Sequence, residues 1–281
     1  MNNKMLIGVD LGGTNVRSGL VSGQEIIKIE AEKIQSKDNE KAVIDQVINS
    51  ISRVISPEVK AIGIGVPGIL DTKEGIVYDV QNIPSWKAVP LKAILEKHFK
   101  VPVLMNNDAN CFAAGEWHYG MGKETSNLTG LILGTGVAAG IICDDKLYEG
   151  RNCGAGEFGM IPYLDRNYEF YCSGNFFSHF HKSSGEAVYN KAAAGDPAAL
   201  KIFQEYGKHL SSLIKTILYA VDPDMIVMGG SVSKAFPFFS DTLWAELQDF
   251  PYQPVIKNIK ISASEINNIA ILGAAALYFN P

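Results

Sequence analysis

LIGVDLGGTNVRSGLV, at Leu6–Val21, is the segment from which we interpret the rest of this chain. A short apolar run ends at one carboxylate, Asp10; two glycines and a threonine follow, and a second apolar run resumes around Arg17. This pattern predicts a β-hairpin with a tight glycine turn. Glycines let backbone N–H groups approach a polyphosphate closely, and a lone carboxylate suits Mg²⁺, which keeps most of its waters. An ordinary surface hairpin is the alternative.

The composition predicts a globular protein with one large domain or two lobes. The 281 residues are 47% hydrophobic and 20% charged, and the formal net charge is −5. A negative charge argues against general binding to nucleic acids or membrane surfaces. Asp10 interrupts the first apolar run before it reaches the length of a signal peptide, and the four cysteines form no CxxC pair. We therefore expect a cytoplasmic protein with reduced thiols and with no nucleic-acid or membrane partner.

Apolar periodicity predicts that strands and helices alternate along the chain. Strands are expected near residues 5–10, 15–21, 25–34, 59–66, 101–106, 129–133, 138–142, 225–228 and 257–263, with a hairpin near 71–77 and a strand beginning near 146–148. Helices are expected near residues 39–55, 90–99, 109–119, 186–194, 197–220, 236–248 and 268–279. This order predicts α/β sheets of mixed direction. Because the order occurs twice, we expect two similar lobes that face one cleft.

Two carboxylates stand where a ligand site is expected. Asp108 lies beside Asn107 at the end of a buried strand, just before a helix, and open α/β sheets bind their ligands at that edge. A carboxylate there can accept a proton from a substrate hydroxyl, while the adjacent amide recognises a second hydroxyl. Alternatively, Asp108 caps the helix. Glu157, in GAGEFGM, suits sugar recognition, and its alternative is a solvent-exposed turn residue.

Two further glycine segments follow predicted strands. LGTGVAAG, at Leu133–Gly140, sits between strands rather than opening a helix, which favours a second phosphate-facing hairpin over a dinucleotide site. A glycine turn in a core sheet is the alternative. Gly229-Gly230-Ser231 can pass a backbone beside an adenine ring or form a plain strand–helix turn. The histidines show no metal-ligand spacing with the cysteines, and His179-Phe180-His181 is expected to alternate on a strand.

Seven motifs occur in the order typical of one family: DLGGTNVR (10–17), GVPG (65–68), NNDAN (106–110), LGTGVAAG (133–140), GAGEFG (154–159), DPDMIVMGG (222–230) and AILGAAAL (270–277). The chain resembles the ROK-family sugar kinases (glucokinase-like), within the actin/hexokinase superfamily of ATPases. The resemblance covers nearly the whole length. It implies an α/β fold of two actin-like (ribonuclease H-like) lobes with mixed β-sheets flanked by helices, and an active site in the cleft between them. We expect residues 1–110 and a C-terminal helix at about 266–281 to form the small lobe, and residues 111–265 the large lobe.

The resemblance also implies roles for individual residues. Asp108 corresponds to the general base, and Asp10 to the magnesium-associated aspartate, which holds Mg²⁺ through water. The residues expected to bind the cofactor ATP are Asp10, Gly12, Gly13, Thr14, Thr135, Gly136, Gly229 and Gly230. The residues expected to contact the sugar are the backbone of Gly68, Asn107, Asp108, Glu157 and, as a weaker match, Asn82.

The chain departs from the family pattern between residues 160 and 177. Met160 stands where the family has a zinc-binding histidine, and YCSGNFF at Tyr171–Phe177 replaces a cysteine cluster after which no glutamate follows at the family's position. One cysteine cannot make a tetrahedral structural site, so we predict no zinc. Because the family's histidine and glutamate contact the C1–C2 side of the hexose, the choice among glucose, mannose, fructose and N-acetylated amino sugars stays open.

The resulting expectation is ATP-dependent phosphorylation of a hexose hydroxyl, the 6-OH of glucose or a related hexose. An N-acetylhexosamine kinase (N-acetylmannosamine or N-acetylglucosamine) or a fructokinase is the alternative within that class, and a catalytically silent sugar sensor is the alternative outside it. Acyl phosphorylation as in acetate kinase fits less well, because NNDAN and Glu157 suit a polyol. Similar ROK repressors carry a helix-turn-helix before the phosphate loop. Because Asp10 lies near the start of this sequence, we expect no such domain, which disfavours a repressor. The family implies a homodimer.

Overall fold

The structure is a computed structural model that describes residues 4–35, 37–80 and 82–279. The chain divides into two compact units. Unit 1 comprises Met1–Glu124, Lys146–Ala155 and Ile266–Pro281, and unit 2 comprises Thr125–Asp145 and Gly156–Glu265. Each unit has its own mixed β-sheet and its own hydrophobic core.

The described elements follow the predicted alternation. The strands are β1 (Met5–Leu11), β2 (Asn15–Ser22), β3 (Glu25–Lys33), β4 (Val59–Val66), β5 (Ile69–Asp71), β6 (Ile76–Tyr78), β7 (Ala88–Val89), β8 (Val103–Asn107), β9 (Leu128–Leu133), β10 (Val137–Cys143), β11 (Lys146–Leu147), β12 (Pro162–Tyr163), β13 (Arg166–Asn167), β14 (Met225–Gly229) and β15 (Lys260–Ala263). The helices are α1 (Glu40–Ser52), α2 (Leu91–Phe99), α3 (Asp108–His118), α4 (Tyr168–Cys172), α5 (Gly174–His181), α6 (Gly185–Ala193), α7 (Pro197–Val221), α8 (Phe236–Leu247), α9 (Gln253–Asn258) and α10 (Ile269–Ala276). Short 3-10 helices lie at Phe158–Met160, Val232–Ala235 and Leu277–Phe279.

The main sheet of unit 1 begins with an antiparallel hairpin and continues in parallel. Its strand order is β3-β2-β1-β4-β8, in which β2 is antiparallel to β1 and β3, while β4 is parallel to β1 and β8. A smaller antiparallel sheet has the order β5-β6-β7. The carboxyl ends of β1, β4 and β8 therefore meet at one edge of the sheet, which is where Asp10 and Asn107 lie.

The sheet of unit 2 repeats this arrangement. β9 and β10 form an antiparallel hairpin, and β14 lies parallel to β9 and β15. The long helix α7 packs against α8 and α4 over the core. Asp196 caps α7 by accepting hydrogen bonds from the backbone N–H groups of Ala198 and Ala199, at 2.8 and 3.3 Å. Proline at the first helical position, where its fixed φ suits a helix, completes this start signal.

The helix α10 lies directly on the sheet of unit 1. A Cβ at Gly63 would stand 1.8 Å from the Ala274 carbonyl oxygen, and one at Gly8 1.9 Å from that of Ile271. Only glycine permits so close an approach of helix to strand. Helix α3 also packs against α10, so residues 111–124 join unit 1, whereas the sequence suggested a boundary after residue 110.

One predicted strand of unit 2 is shorter than expected. The strand predicted near residues 257–263 begins only at Lys260, because residues 253–258 form helix α9. Pro254 lies at the start of that helix, where its fixed φ favours the helical conformation and its missing N–H costs nothing. The strand prediction for residues 257–259 is therefore wrong.

The segment His179–His181 lies in helix α5 and not on a strand, so the strand geometry expected for it is also wrong. Ser173 caps this helix by accepting a hydrogen bond from the Asn175 N–H at 3.2 Å. Phe176 and Phe177 are fully buried on the helix. Capping and aromatic burial together outweigh the alternation that suggested a strand.

Within the described ranges, we find no helix that is both long enough and apolar enough to traverse a bilayer.

Candidate functional site

Asp10 forms a cross-strand ion pair with Arg17. The β1–β2 register places the two residues opposite each other, and the Arg17 Nη2 and Nε atoms lie 2.5 and 3.1 Å from Asp10 Oδ2. Arg17 Nη1 also donates to Asn268 Oδ1 at 3.3 Å. Both bonds to Asp10 end on Oδ2, and no other described side chain of unit 1 bonds to Oδ1. One carboxylate oxygen therefore remains for a hydrated cation.

The first glycine turn is tight and is covered by Asn82. The Gly12 N–H donates to the Asn15 carbonyl at 2.9 Å, and the carbonyl of the exposed Thr14 accepts from the Ile34 N–H at 2.7 Å. A Cβ at Gly13 would stand 2.2 Å from the Asn82 Cβ. The structure thus brings Asn82, expected to contact sugar, against the predicted phosphate turn.

Asn107, and not Asp108, caps helix α3. The Asn107 Oδ1 atom accepts from the Asn110 N–H at 2.7 Å, and its Nδ2 atom donates to the Cys153 carbonyl at 3.1 Å. Asp108 occupies the first helical position, where the N–H of its neighbour Ala109 donates to Asp108 Oδ1 at 2.9 Å. The capping alternative for Asp108 therefore does not hold. Its side chain is partly exposed.

The surroundings of Asp108 favour its protonated form. Burial raises the pKa of Asp108 above its usual value, the hydrogen bond from Ala109 lowers it, and the nearby charge of Asp10 raises it. Burial also raises the pKa of the neighbouring Cys111 thiol well above its usual value, and the charges of Asp108 and Asp10 add to this effect. The two carboxylates of unit 1 are thus close enough to influence each other, and such a shift is typical of acid–base groups.

A buried polar network supports this edge of the sheet. Asn106 accepts from Asn110 Nδ2 at 2.8 Å and from Cys153 Sγ at 3.1 Å, and its own Nδ2 donates to Glu149 Oε1 at 2.5 Å. The other oxygen of Glu149 accepts from Thr72 Oγ1 at 3.1 Å. The network holds residues 149–153 against the end of β8, and sequence reasoning did not find it.

Position 68 requires glycine because of its backbone conformation and not because of crowding. Its φ is +88°, and the nearest atom to a Cβ added there would be the Tyr78 carbonyl oxygen at 4.0 Å. A side chain at this position is strained by the backbone alone. The peptide of Gly68 accordingly presents polar groups in an orientation that other residues rarely adopt.

The second glycine hairpin, Gly134–Gly136, joins β9 to β10 in unit 2. The Gly134 N–H donates to the Gly136 carbonyl at 3.0 Å, and the Gly134 carbonyl accepts from the Gly174 N–H at 2.8 Å. Thr135 is exposed at the tip, and a Cβ at Gly134 would meet no atom within 4 Å. The backbone of this hairpin is therefore accessible, as phosphate binding requires.

Glu169 is a candidate that sequence reasoning missed. Its Oε2 atom accepts from the Val137 N–H at 3.2 Å and would stand 2.6 Å from a Cβ at Gly136. Glu169 lies on α4, three residues before Cys172, whereas the resemblance implies a glutamate after the cysteines. The structure thus places a carboxylate directly on the second hairpin, beside a depression of about 400 Å³ lined partly by Arg166.

The strand β14 ends in close contact with β9. Gly229 is its last residue, and Gly230 has φ +86°, where a Cβ would stand only 2.3 Å from the Leu133 carbonyl oxygen. Any side chain at Gly230 is thus excluded by both conformation and space. Glu157 is exposed in unit 2 and begins the 3-10 helix Phe158–Met160, so its carboxylate is accessible.

An aromatic cluster occupies the segment where the family has zinc ligands. Met160 is exposed, while Cys172 is buried, and burial raises the pKa of its thiol. The Tyr206 hydroxyl donates to the Cys172 carbonyl at 2.7 Å and its ring packs on Phe176 and Phe177. The absence of structural zinc stays a prediction.

Each unit gathers part of the predicted site. Unit 1 brings together Asp10, the first glycine turn with Asn82, and Asp108 with Asn107, whereas unit 2 brings together the second hairpin and Gly230 through Leu133. The free oxygen of Asp10 and the accessible hairpin at Gly134 fit a hydrated Mg²⁺ and a polyphosphate, respectively.

The chain is similar to known proteins over nearly its whole length. The ROK family profile matches residues 6–280. The N-acetyl-D-glucosamine kinase of Vibrio parahaemolyticus is 31% identical, with 82% of this chain and 85% of that protein covered. A ROK family glucokinase from Streptomyces griseus, solved with glucose and AMPPNP, is 26% identical at a TM-score of 0.83, with 97% and 98% covered. A ROK family transcriptional regulator, homologous to the E. coli MLC protein, shares the fold at 21% identity and a TM-score of 0.85, with 97% and 77% covered. From the match to the family profile and these similarities we conclude that this chain belongs to the ROK family.

Proposed function

We propose that this chain is an ATP-dependent sugar kinase that phosphorylates the 6-OH of glucose or a related hexose. The observation that carries the proposal is the state of Asp108. Its neighbour Asn107 caps α3, so the Asp108 carboxylate has no capping role, and its pKa is raised. A base with a raised pKa accepts a proton more readily than an ordinary aspartate.

The roles of the other residues follow from their positions. Asp108 accepts the proton of the attacking hydroxyl. Asn107, whose Nδ2 has a second N–H beyond its bond to Cys153, and Glu157 bind neighbouring hydroxyls. Asp10 holds Mg²⁺ through water, and Arg17 keeps its carboxylate oriented. When bound, Mg²⁺-ATP supplies the phosphoryl group and the charge that stabilises its transfer.

The backbone turns form the rest of the proposed nucleotide site. In unit 1 the first glycine turn, Gly12–Thr14, binds phosphate oxygens through the N–H groups of Gly13 and Thr14, since the Gly12 N–H is bonded to Asn15. In unit 2 the N–H groups of Thr135 and Gly136 have the same role. Gly229 and Gly230 pass beside the adenosine. We further propose that the protein works as a cytoplasmic homodimer without zinc.

The sugar remains a choice among related hexoses. A relative with 31% identity is named an N-acetyl-D-glucosamine kinase and another protein of the family a glucokinase, so both substrates are candidates, with N-acetylmannosamine and fructose beside them. The similarity to a transcriptional regulator keeps a silent sugar sensor as the second candidate function. A sensor needs no base, so an Asp108 carboxylate that has no capping role and a raised pKa favours the kinase.

A coupled ADP-release assay with Mg²⁺-ATP and a panel of these sugars tests the proposal. We expect turnover on one sugar, and a loss of roughly 10²–10⁴-fold in kcat for Asp108→Asn with sugar binding retained. Asp196→Asn is the matched control: it also removes a carboxylate at a helix start, but asparagine caps equally well, so turnover is unchanged. Sugar binding without turnover in the parent protein favours the sensor instead.

A further inference from the structure

A large polar depression lies beside the proposed sugar residues of unit 1, and none of the proposed roles involves it. Its volume is about 670 Å³, within the range of small-molecule sites. It is lined by residues of two segments, 69–78 and 149–152. All of these residues belong to unit 1.

Two connections join the depression to the proposed acceptor residues. Ile69 follows Gly68 directly, and Gly68 holds its special conformation at the end of this loop. Glu149, in the wall, is bonded to Asn106, which immediately precedes Asn107. The depression therefore adjoins Gly68 along the chain and is joined by one hydrogen bond to the strand end that carries Asn107.

The wall combines an exposed apolar surface with polar groups. Tyr78 and Ile69 are a cross-strand pair on β6 and β5, and they are 37% and 58% exposed. An exposed tyrosine ring offers a flat face to the C–H groups of a sugar ring, and its hydroxyl is a hydrogen-bonding group. The guanidinium of Arg151 and the hydroxyl of Thr72 supply further groups around this surface.

The charges of the wall favour a neutral ligand. Asp71 accepts the N–H groups of Lys73 and Glu74, both at 3.0 Å, and Glu149 accepts from Asn106 and Thr72. The two carboxylates Asp71 and Glu149 are matched in number by the two cations Lys73 and Arg151, neither of which forms an ion pair within the described part of the chain. With a balanced charge, the wall selects for hydrogen-bonding capacity and not for an anion.

From these observations we infer that the depression is a subsite for the second sugar ring of a disaccharide or glycoside acceptor. The inference rests on the proposed function, since the first ring occupies Asn107 and Asp108. Tyr78 is the principal contact of the second ring, and Arg151 binds the hydroxyls at the edge of that ring. The chain then phosphorylates a disaccharide at least as efficiently as the hexose it contains.

Steady-state kinetics with glucose, maltose, cellobiose and sucrose test this inference. We expect at least one disaccharide to be phosphorylated with a kcat/KM not below that of the hexose. Tyr78→Ala lowers the disaccharide value about five- to tenfold, the size of one aromatic contact, and changes the hexose value less than twofold. Tyr78→Phe retains most of the disaccharide value.

The control is Tyr189→Ala, because Tyr189 is 36% exposed and lies on α6 of unit 2, outside the proposed site. We expect Tyr189→Ala to leave the kcat/KM values for hexose and disaccharide unchanged. If the hexose is phosphorylated but no disaccharide is phosphorylated or competes with it, the subsite is overturned while the kinase proposal stands. An equal effect of Tyr78→Ala on hexose and disaccharide kinetics has the same meaning.

Calorimetric titration with the same sugars separates this inference from the proposed function. If no sugar is phosphorylated, the kinase proposal fails, yet disaccharide binding that is weakened by Tyr78→Ala still supports the subsite. Absence of disaccharide binding, or binding of glucose 6-phosphate in preference to every disaccharide, overturns it.

Discussion

Replacing Asn107 by alanine tests whether this side chain holds the candidate site together. Its Oδ1 atom caps α3, and its Nδ2 atom bonds the Cys153 carbonyl in a buried position. Losing the cap costs about 1 kcal/mol. Losing the buried hydrogen bond from Asn107 to the Cys153 carbonyl costs about 1–3 kcal/mol more. We therefore expect Asn107→Ala to lower the free energy of unfolding by about 2–4 kcal/mol.

The matched control is Asn39→Ala. Asn39 caps α1 with one bond to the Ala42 N–H at 3.0 Å and is exposed, so its loss removes only a cap, worth about 1 kcal/mol. Asn107→Asp gives an intermediate result, because aspartate keeps the cap but cannot donate to the Cys153 carbonyl.

Urea unfolding followed by tryptophan fluorescence provides the assay. Two of the three tryptophans, Trp86 and Trp117, lie in unit 1, so the signal reports mainly on the unit that contains Asn107. The measurement is made without sugar, which separates stability from the proposed sugar contact. If Asn107→Ala destabilises the protein no more than Asn39→Ala does, the bond to Cys153 contributes nothing and the reasoning is refuted.

Three further variants probe the carboxylates and the glycine contacts. Burial raises the pKa of Asp108 in the folded protein, so keeping this carboxyl ionised at neutral pH destabilises the fold. We therefore expect Asp108→Asn to be more stable than the parent at neutral pH. The urea midpoints of the two proteins converge as the pH falls below about 4, the usual pKa of an aspartate in the unfolded chain. Arg17→Met removes the counter-ion of Asp10, so the Asp10 charge raises the pKa of Asp108 further and the acid limb of the kcat/KM profile moves to higher pH. An acid limb at the same pH as in the parent contradicts the coupling of the two carboxylates. Gly230→Ala forces a Cβ to 2.3 Å from the Leu133 carbonyl oxygen, so we expect calorimetry to detect weaker nucleotide binding. Gly195→Ala, at a similar φ of +81° but in open space, leaves nucleotide binding unchanged. Equal nucleotide affinities of the two variants argue against the adenosine role of Gly230.

The glycine segments and the strand–helix order are determined by the sequence itself. Period-2 apolar runs, helix caps such as Asp196 and glycine turns are local signals, because the residues that decide them lie within a few positions of one another. Even the pairing of Asp10 with Arg17 follows locally, since a three-residue turn between β1 and β2 places them opposite each other. The order of seven short motifs then indicated the family, which the family profile confirms.

The tertiary structure alone decided which neighbouring side chain does which task. From the sequence, Asp108 could be either the helix cap or the base. In the structure Asn107 is the cap: its Oδ1 atom accepts from the Asn110 N–H, and its Nδ2 atom is held by the Cys153 carbonyl, 46 positions away. Glu169 meets the second glycine hairpin across 32 positions, and Glu149 joins Asn106 across 43. Such contacts depend on how sheets and helices pack, and no local period or spacing encodes that packing.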